Sequence, residues 1–144
     1  MDAKTMWEQY AIPKEIVAEY DAWCFGDDAD ALAKLVLAGK KTATSSAHPI
    51  YELEDEELPQ EGQYSVVLWR DGNAACIIKT TRVYIVPFSQ VSAEQAYREG
   101  EGDRSLAYWQ KVHRAFFTRE MEDAGLTFTE DMKVVCEEFI RVFP

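Results

Sequence analysis

Residues 64–86 read YSVVLWRDGNAACIIKTTRVYIV. Two apolar, β-branched runs flank Asp71-Gly72-Asn73, and a glycine-bearing break between such runs marks an antiparallel hairpin. The spacing predicts one strand over Tyr64–Arg70 and a long return strand over Ala74–Val86. Pro87, with no N–H to donate, ends the pairing. Downstream, Lys133–Phe143 reads as a final strand long enough to close a sheet with this hairpin, and upstream the hydroxyl-rich KKTATSSAH (40–48) reads as a strand leaving a helix cap. Helical periodicity is expected from Pro13 to Trp23, where Ile16, Val17, Tyr20 and Trp23 recur at helical spacing. It is expected again from Asp28 or Asp30 to Ala38, with Gly39 as the left-handed cap. Ser92-Ala93-Glu94-Gln95 resembles a capping box and predicts a short helix over Ala93–Glu99. Ser105–Ala124 predicts a longer helix with Leu106, Trp109, Val112, Phe116, Phe117 and Met121 on its buried stripe. The acidic run ELEDEELPQE (52–61) reads as a solvated loop. Helices fall before, between and after strands that are joined mainly as hairpins, so the fold class is α+β rather than a repeated βαβ pattern. A small, mostly antiparallel β-barrel with flanking helices is the expected architecture.

The chain has 144 residues, 15 Lys+Arg against 26 Asp+Glu, and a formal net charge of −11. Its length fits one domain with a core large enough to need no disulfide or metal staple. Tracking a phosphate backbone normally requires a basic surface, so extended DNA binding is not expected; a nucleic-acid role needs a local basic pocket or a nucleoside-sized substrate. No window approaches the apolar length of a membrane span, and the N-terminus lacks a signal-peptide core, which points to the cytoplasm and no membrane partner. Cys24, Cys76 and Cys136 are far apart and form no C-x-x-C pair, so neither a disulfide framework nor a zinc knuckle is expected. No glycine-rich phosphate loop is present. Nothing in the pattern sets an oligomeric state.

The segment most able to carry chemistry is Gly39-Lys40-Lys41-Thr42-Ala43-Thr44-Ser45-Ser46. A lysine in a partly desolvated cleft can act as a base, and a neighbouring threonine hydroxyl can be activated as a nucleophile. On a strand, Lys41, Ala43 and Ser45 share one face and Thr42, Thr44 and Ser46 the other. Lys41 and Thr44 therefore reach one cleft only if the chain turns near the helix cap. The competing reading is a surface lysine that complements a helix C-terminus. Within EGEGDRS (99–105), Glu99 stands between a functional and a capping role, Glu101 and Asp103 read as an acidic helix cap, and Arg104 offers local positive charge or pairs with its neighbours. Trp109 and His113 share a face of the long helix; they read as a stacking platform with a proton donor, or as a core tryptophan with a hydrogen-bonded histidine. No catalytic triad can be assembled, and no cofactor is expected, although a carboxylate-held Mg²⁺ or Mn²⁺ stays open.

Taken together, LVLAGKKTATSS (35–46), the hairpin and AYREGEGDRSLAYWQKVHRAFF (96–117) resemble the ASCH family of small PUA-like barrels. The resemblance spans about Gly26 to Phe143, and residues 1–25 resemble the N-terminal helical extension of the longer bacterial members, packed on a domain formed by 26–144. Gly39 and Lys41 match the family motif. Thr44 and Ser46 stand where an acidic residue and an arginine often occur. The resemblance implies three functions: a hydrolase like the family's N4-acetylcytidine amidohydrolases, a non-catalytic RNA- or nucleotide-binding module, and a metal-assisted ribonuclease. For the amidohydrolase it implies Lys41 as base, Thr44 as nucleophile or water-orienting hydroxyl and Glu99 as proton shuttle. Lys40, Ser46, Arg104, Trp109 and His113 are then the expected substrate-binding residues, with RNA or a nucleoside-sized molecule as ligand.

Overall fold

The computed structural model describes residues 1–144. Five strands, β1 (Tyr20–Trp23), β2 (Ala43–Ala47), β3 (Tyr64–Leu68), β4 (Ala74–Pro87) and β5 (Lys133–Phe143), form one sheet in the order β1-β3-β4-β5-β2. The hairpin pairs as expected, with Val67 opposite Cys76, and β5 continues the ladder along nearly all of β4. Register shifts at Ile77/Ile78 and Thr80/Arg82 interrupt that ladder, and bulges of this kind bend a strand and increase its twist. β2 adds to β5 antiparallel, whereas β1 runs parallel to β3. The sheet is therefore mixed but mostly antiparallel. It does not close into a barrel: β1 and β2 are its two edges, and no ladder joins them.

Five helices pack around the sheet: α1 (Ala3–Ala11), α2 (Ala29–Leu37), α3 (His48–Leu53), α4 (Ala93–Glu99) and α5 (Leu106–Asp123). α2 starts at Asp28, whose carboxylate accepts the Ala31 N–H, and stops before Gly39 at φ 77°. α4 and α5 start at Ser92 and Ser105, each hydroxyl accepting an N–H three residues on. Three apolar clusters result. One joins α4 and α5 to β5 through Ala96, Trp109, Phe117, Met121, Val134 and Cys136. A second sets Phe25 and α2 against Val67, Cys76, Ile78 and Phe139. The third sets α1 against Val66, Ala74 and Ile77.

The first 25 residues correct the sequence reading. The helix lies at Ala3–Ala11, begun by Asp2 accepting the Thr5 N–H at 2.8 Å, rather than at Pro13–Trp23. Val17 is fully exposed, and Tyr20 and Trp23 belong to β1. Pairing with β3, and stacking of Trp7 on Tyr20 at 5.0 Å, override a helical spacing that local sequence alone supports. Residues 1–25 thus supply a sheet strand as well as a packed helix. α3 is an element the sequence reading did not anticipate; it occupies the start of the stretch expected to be strand end and acidic loop. No helix is long and apolar enough to cross a membrane.

Candidate active site at the open seam of the sheet

The edges β1 and β2 face each other across a groove of about 1130 Å³, lined by Tyr20–Trp23 on one side and Thr44–Ser46 on the other. A smaller cavity of about 60 Å³ adjoins it; both share Phe25, Gly26, Thr44 and Ser45. The smaller one is also lined by Lys41, Glu99, Glu101 and His113.

Lys41 reaches this cavity because β2 starts only at Ala43. Lys41 still belongs to the turn out of α2, its N–H donating to the Leu35 carbonyl at 3.1 Å, whereas Thr42 links α4 to β5, its N–H donating to the Arg98 carbonyl at 2.7 Å and its carbonyl accepting from the Phe139 N–H. The turn required for Lys41 and Thr44 to share a cleft is therefore present. Gly100 makes the second approach possible. At φ 76° it ends α4, and a Cβ there would lie 2.4 Å from the Lys40 carbonyl oxygen. The EGEGDRS loop thus lies directly against the Lys40–Lys41 backbone.

Lys41 is 2% exposed and Glu99 1%. Lys41 Nζ lies 3.7 Å from Glu99 Oε1, 3.4 Å from Glu101 Oε2 and 3.4 Å from the Glu99 carbonyl oxygen, with the Phe25 ring 5.2 Å away. The other Glu99 oxygen accepts from Trp109 Nε1 at 2.6 Å and from Gln95 Nε2 at 3.2 Å. His113 Nε2 lies 3.5 Å from Glu99 Oε1. Its Nδ1 bonds the Trp109 carbonyl at 2.9 Å, and since a carbonyl only accepts, Nδ1 carries the proton. Burial alone would raise the Glu99 pKa, but Lys41, His113 and the Trp109 hydrogen bond outweigh it and bring it down to about 2. Burial would likewise lower the His113 pKa, but its contacts with Glu99, Glu101 and the Trp109 carbonyl raise it. The result is a desolvated anion held by the Lys41 ammonium, the His113 ring and the Trp109 N–H, and removing a partner leaves the buried charge less compensated.

Among the residues expected to act, Lys41, Thr44, Glu99 and His113 come together at the small cavity. Ser46 lines the wide groove, its hydroxyl 2.9 Å from the Tyr51 hydroxyl. Three others stand elsewhere. Trp109 is 2% exposed and lines neither cavity; its ring stacks on His113 at 4.2 Å and its N–H holds Glu99, so it positions the site and has no open face for a base. Arg104 stacks 3.7 Å above Tyr97 and donates to the Tyr97 and Lys40 carbonyls, which ties the loop to β2's approach. Lys40 is exposed and lines neither cavity.

Three residues were not singled out for function by the sequence. Glu101, read as a helix cap, borders the cavity beside Lys41; the flanking Gly100 and Gly102, both at positive φ, were the available signal. Ser45 borders both cavities, and its buried hydroxyl has no protein hydrogen-bond partner. Glu137 stands directly opposite Thr44 in the β2–β5 ladder and lines the wide groove. Glu99, Glu101 and His113 also bring one ligand atom each within 4.8 Å of one another, a donor set of the kind that holds a divalent ion. Lys41 Nζ already supplies positive charge to both carboxylates, so an ion there would have to displace a buried lysine.

Comparison with known proteins bears on the fold and the family. No curated protein matches the chain. Among solved structures, an ASCH domain from Lactobacillus crispatus JV V101 shares 38% identity and superimposes with a TM-score of 0.87, covering 98% of this chain and 94% of that one. A protein from Enterococcus faecalis V583 shares 36% identity at a TM-score of 0.90, covering 97% and 87%. A hypothetical protein at 17% identity and a TM-score of 0.59, covering 86% of this chain and all of that one, shares the fold. The ASCH domain family model, of a family generally linked to RNA binding, matches residues 21–143, and the chain belongs to the ASCH family.

Proposed function

We propose that this ASCH protein is a hydrolase that removes a small acyl group from a modified nucleoside, with N4-acetylcytidine as the model substrate. The observation that carries the reading is that Glu99, 58 residues from Lys41, lines the same cavity of about 60 Å³ as Lys41 and Thr44. A space of that size takes a few heavy atoms, enough for an acyl group and too little for a base. The adjoining groove has room for the rest of the molecule.

Thr44 Oγ1 attacks the acyl carbon while its proton passes to Lys41. The carbon–nitrogen bond then breaks, the nitrogen leaves as the free amine after taking that proton, and water hydrolyses the acyl-threonine ester to release acetate. For Lys41 to accept a proton it must first give one up. Glu99, with its pKa near 2, is a weak acceptor and serves as the anion that fixes Lys41 and His113. Glu101, 3.4 Å from Lys41 and partly open, is better placed for the shuttle. In the alternative, Thr44 orients a water that attacks directly, and the same proton path applies.

Purified protein is expected to release acetate and cytidine from N4-acetylcytidine. Lys41→Ala and Thr44→Val are both expected to abolish release, with circular dichroism confirming a folded chain. Undiminished turnover in either folded variant would sink the assignment.

A further inference from the structure

The groove between β1 and β2 carries a chemical bias that the small cavity does not explain. Six carboxylates line it, from Glu19, Asp21, Glu56, Glu57, Glu61 and Glu137, and no lysine or arginine does. Five of the six are exposed at its rim. Glu137 is different: it is 8% exposed and lies on β5 in register with Thr44. Side chains directly opposite on one sheet face stand roughly 5 Å apart at Cβ, so Glu137 is one cross-strand step from the proposed nucleophile. Thr80 donates its hydroxyl to Glu137 Oε2 at 2.7 Å, which fixes the carboxyl and leaves the other oxygen free of a protein donor. Burial pushes its pKa up. A fixed, desolvated carboxyl with one free oxygen is suited to a hydroxyl or an amine, and the exposed rim carboxylates above it repel a phosphate.

Resting on the deacylase reading of Lys41 and Thr44, we infer that the groove is a subsite for an unphosphorylated, hydroxyl-bearing group such as the sugar of a free nucleoside, with Glu137 its principal contact. Phosphorylated nucleosides and RNA are rejected by the same surface. Specificity arises here by repulsion as much as by contact, since discrimination is a difference between two binding free energies.

The test measures binding of cytidine and of cytidine 5′-monophosphate by calorimetry, next to acetate release from N4-acetylcytidine and its 5′-monophosphate. Wild type is expected to prefer the unphosphorylated form by about tenfold or more in both assays, the size of effect that one lost or repelled polar contact produces. High salt should narrow the gap by screening the rim. The rim variant Glu56→Gln/Glu57→Gln/Glu61→Gln should narrow it several-fold at low salt. Glu137→Gln and Glu137→Ala should both weaken cytidine binding, the alanine more. Equal handling of phosphorylated and unphosphorylated forms would overturn the inference while leaving the deacylase standing. Selective cytidine binding with no acetate release would do the reverse. Absence of cytidine binding would overturn the inference outright.

Discussion

Glu99 at the small cavity and Glu137 in the wide groove are both buried, at 1% and 8% exposure, yet their carboxyls are driven in opposite directions. At Glu99 the cost of burial is offset by Lys41, His113 and Trp109, and the pKa drops to about 2. At Glu137 only the Thr80 hydroxyl offsets burial, and the pKa rises. The difference separates two tasks. The small cavity concentrates opposite charges around a permanent anion, an arrangement suited to holding reactive groups in place. The groove carries acid without base, an arrangement suited to sorting what enters.

Breaking the charged cluster should give the largest effect. Lys41→Met takes the ammonium from the buried Glu99 carboxylate, leaving it only His113, Trp109 and Gln95, and should cost about 3–5 kcal/mol in a urea melt, in addition to abolishing activity. Adding Glu99→Gln should recover part of that loss, because residues sharing one ion-pair network are not additive. Full additivity would mean that the two side chains do not interact.

The backbone crossing behind the cluster comes next. Gly100→Ala combines φ 76° with a Cβ placed 2.4 Å from the Lys40 carbonyl, whereas Gly125→Ala has φ 75° with no atom within 4 Å. The second should cost about 1–2 kcal/mol for the left-handed backbone alone. The first should exceed it and also reduce acetate release, since Lys40 and Lys41 must shift.

Trp109→Phe keeps most of the ring but removes the 2.6 Å hydrogen bond to Glu99. A bond to a charged acceptor is worth about 1.5–3 kcal/mol, and the melt should show a loss in that range. NMR titration should find the Glu99 pKa moved upward. An unshifted pKa would show that Trp109 does not hold the anion.

The pH dependence of stability separates the two glutamates and His113. Glu99 has a folded pKa of about 2 against an ordinary 4.5, so its stabilisation is present above the ordinary value and is lost as pH falls toward 2. His113 is raised above 6.5, so its stabilisation is full below that value and is lost as pH rises through the raised pKa. Glu137 is also raised; its protonated form is favoured on folding, and that contribution fades as pH rises through its folded pKa. Glu99→Gln should flatten the acid limb of the stability profile, and His113→Gln the limb above the ordinary histidine value of 6.5. The smallest effect belongs to the rim: the triple variant at Glu56, Glu57 and Glu61 should stay within about 0.5 kcal/mol of wild type, as exposed substitutions usually do.

How much of this was legible in the sequence follows from how local each signal is. The hairpin, α2, α4, α5 and β5 lie close to where periodicity and caps placed them, because Asp71-Gly72-Asn73, Ser92, Ser105 and Gly39 encode their own boundaries. The N-terminal segment was not legible, because Tyr20 and Trp23 take strand geometry only by pairing with β3, over forty residues away. Closure of the barrel failed for a related reason: it depends on whether β1 and β2 meet, and neither edge carries a local sign of that. At the site, Lys41, Thr44 and Glu99 were marked by the family resemblance, while the glycine-rich surroundings of Glu99 alone left it between a functional and a capping role. Glu101, Ser45 and Glu137 were not, since a carboxylate in an acidic loop and polar residues on strands look alike whether they face solvent or a cavity. For Trp109 the sequence left a stacking platform and a core tryptophan with a hydrogen-bonded histidine both open, because helical spacing says which residues share a face and nothing about what covers it; the structure shows the second.

Hydrolysis by Lys41, Thr44 and Glu99 is tested most directly by acetate release from N4-acetylcytidine in wild type and in Thr44→Val. Thr44 is only partly buried and stands outside the ion-pair network, so its loss leaves the charged cluster intact. Wild type is expected to release acetate steadily and the folded variant to lose at least about 100-fold, the scale expected when a nucleophile or the group orienting it is removed. Release at the wild-type rate by folded Thr44→Val would contradict the assignment.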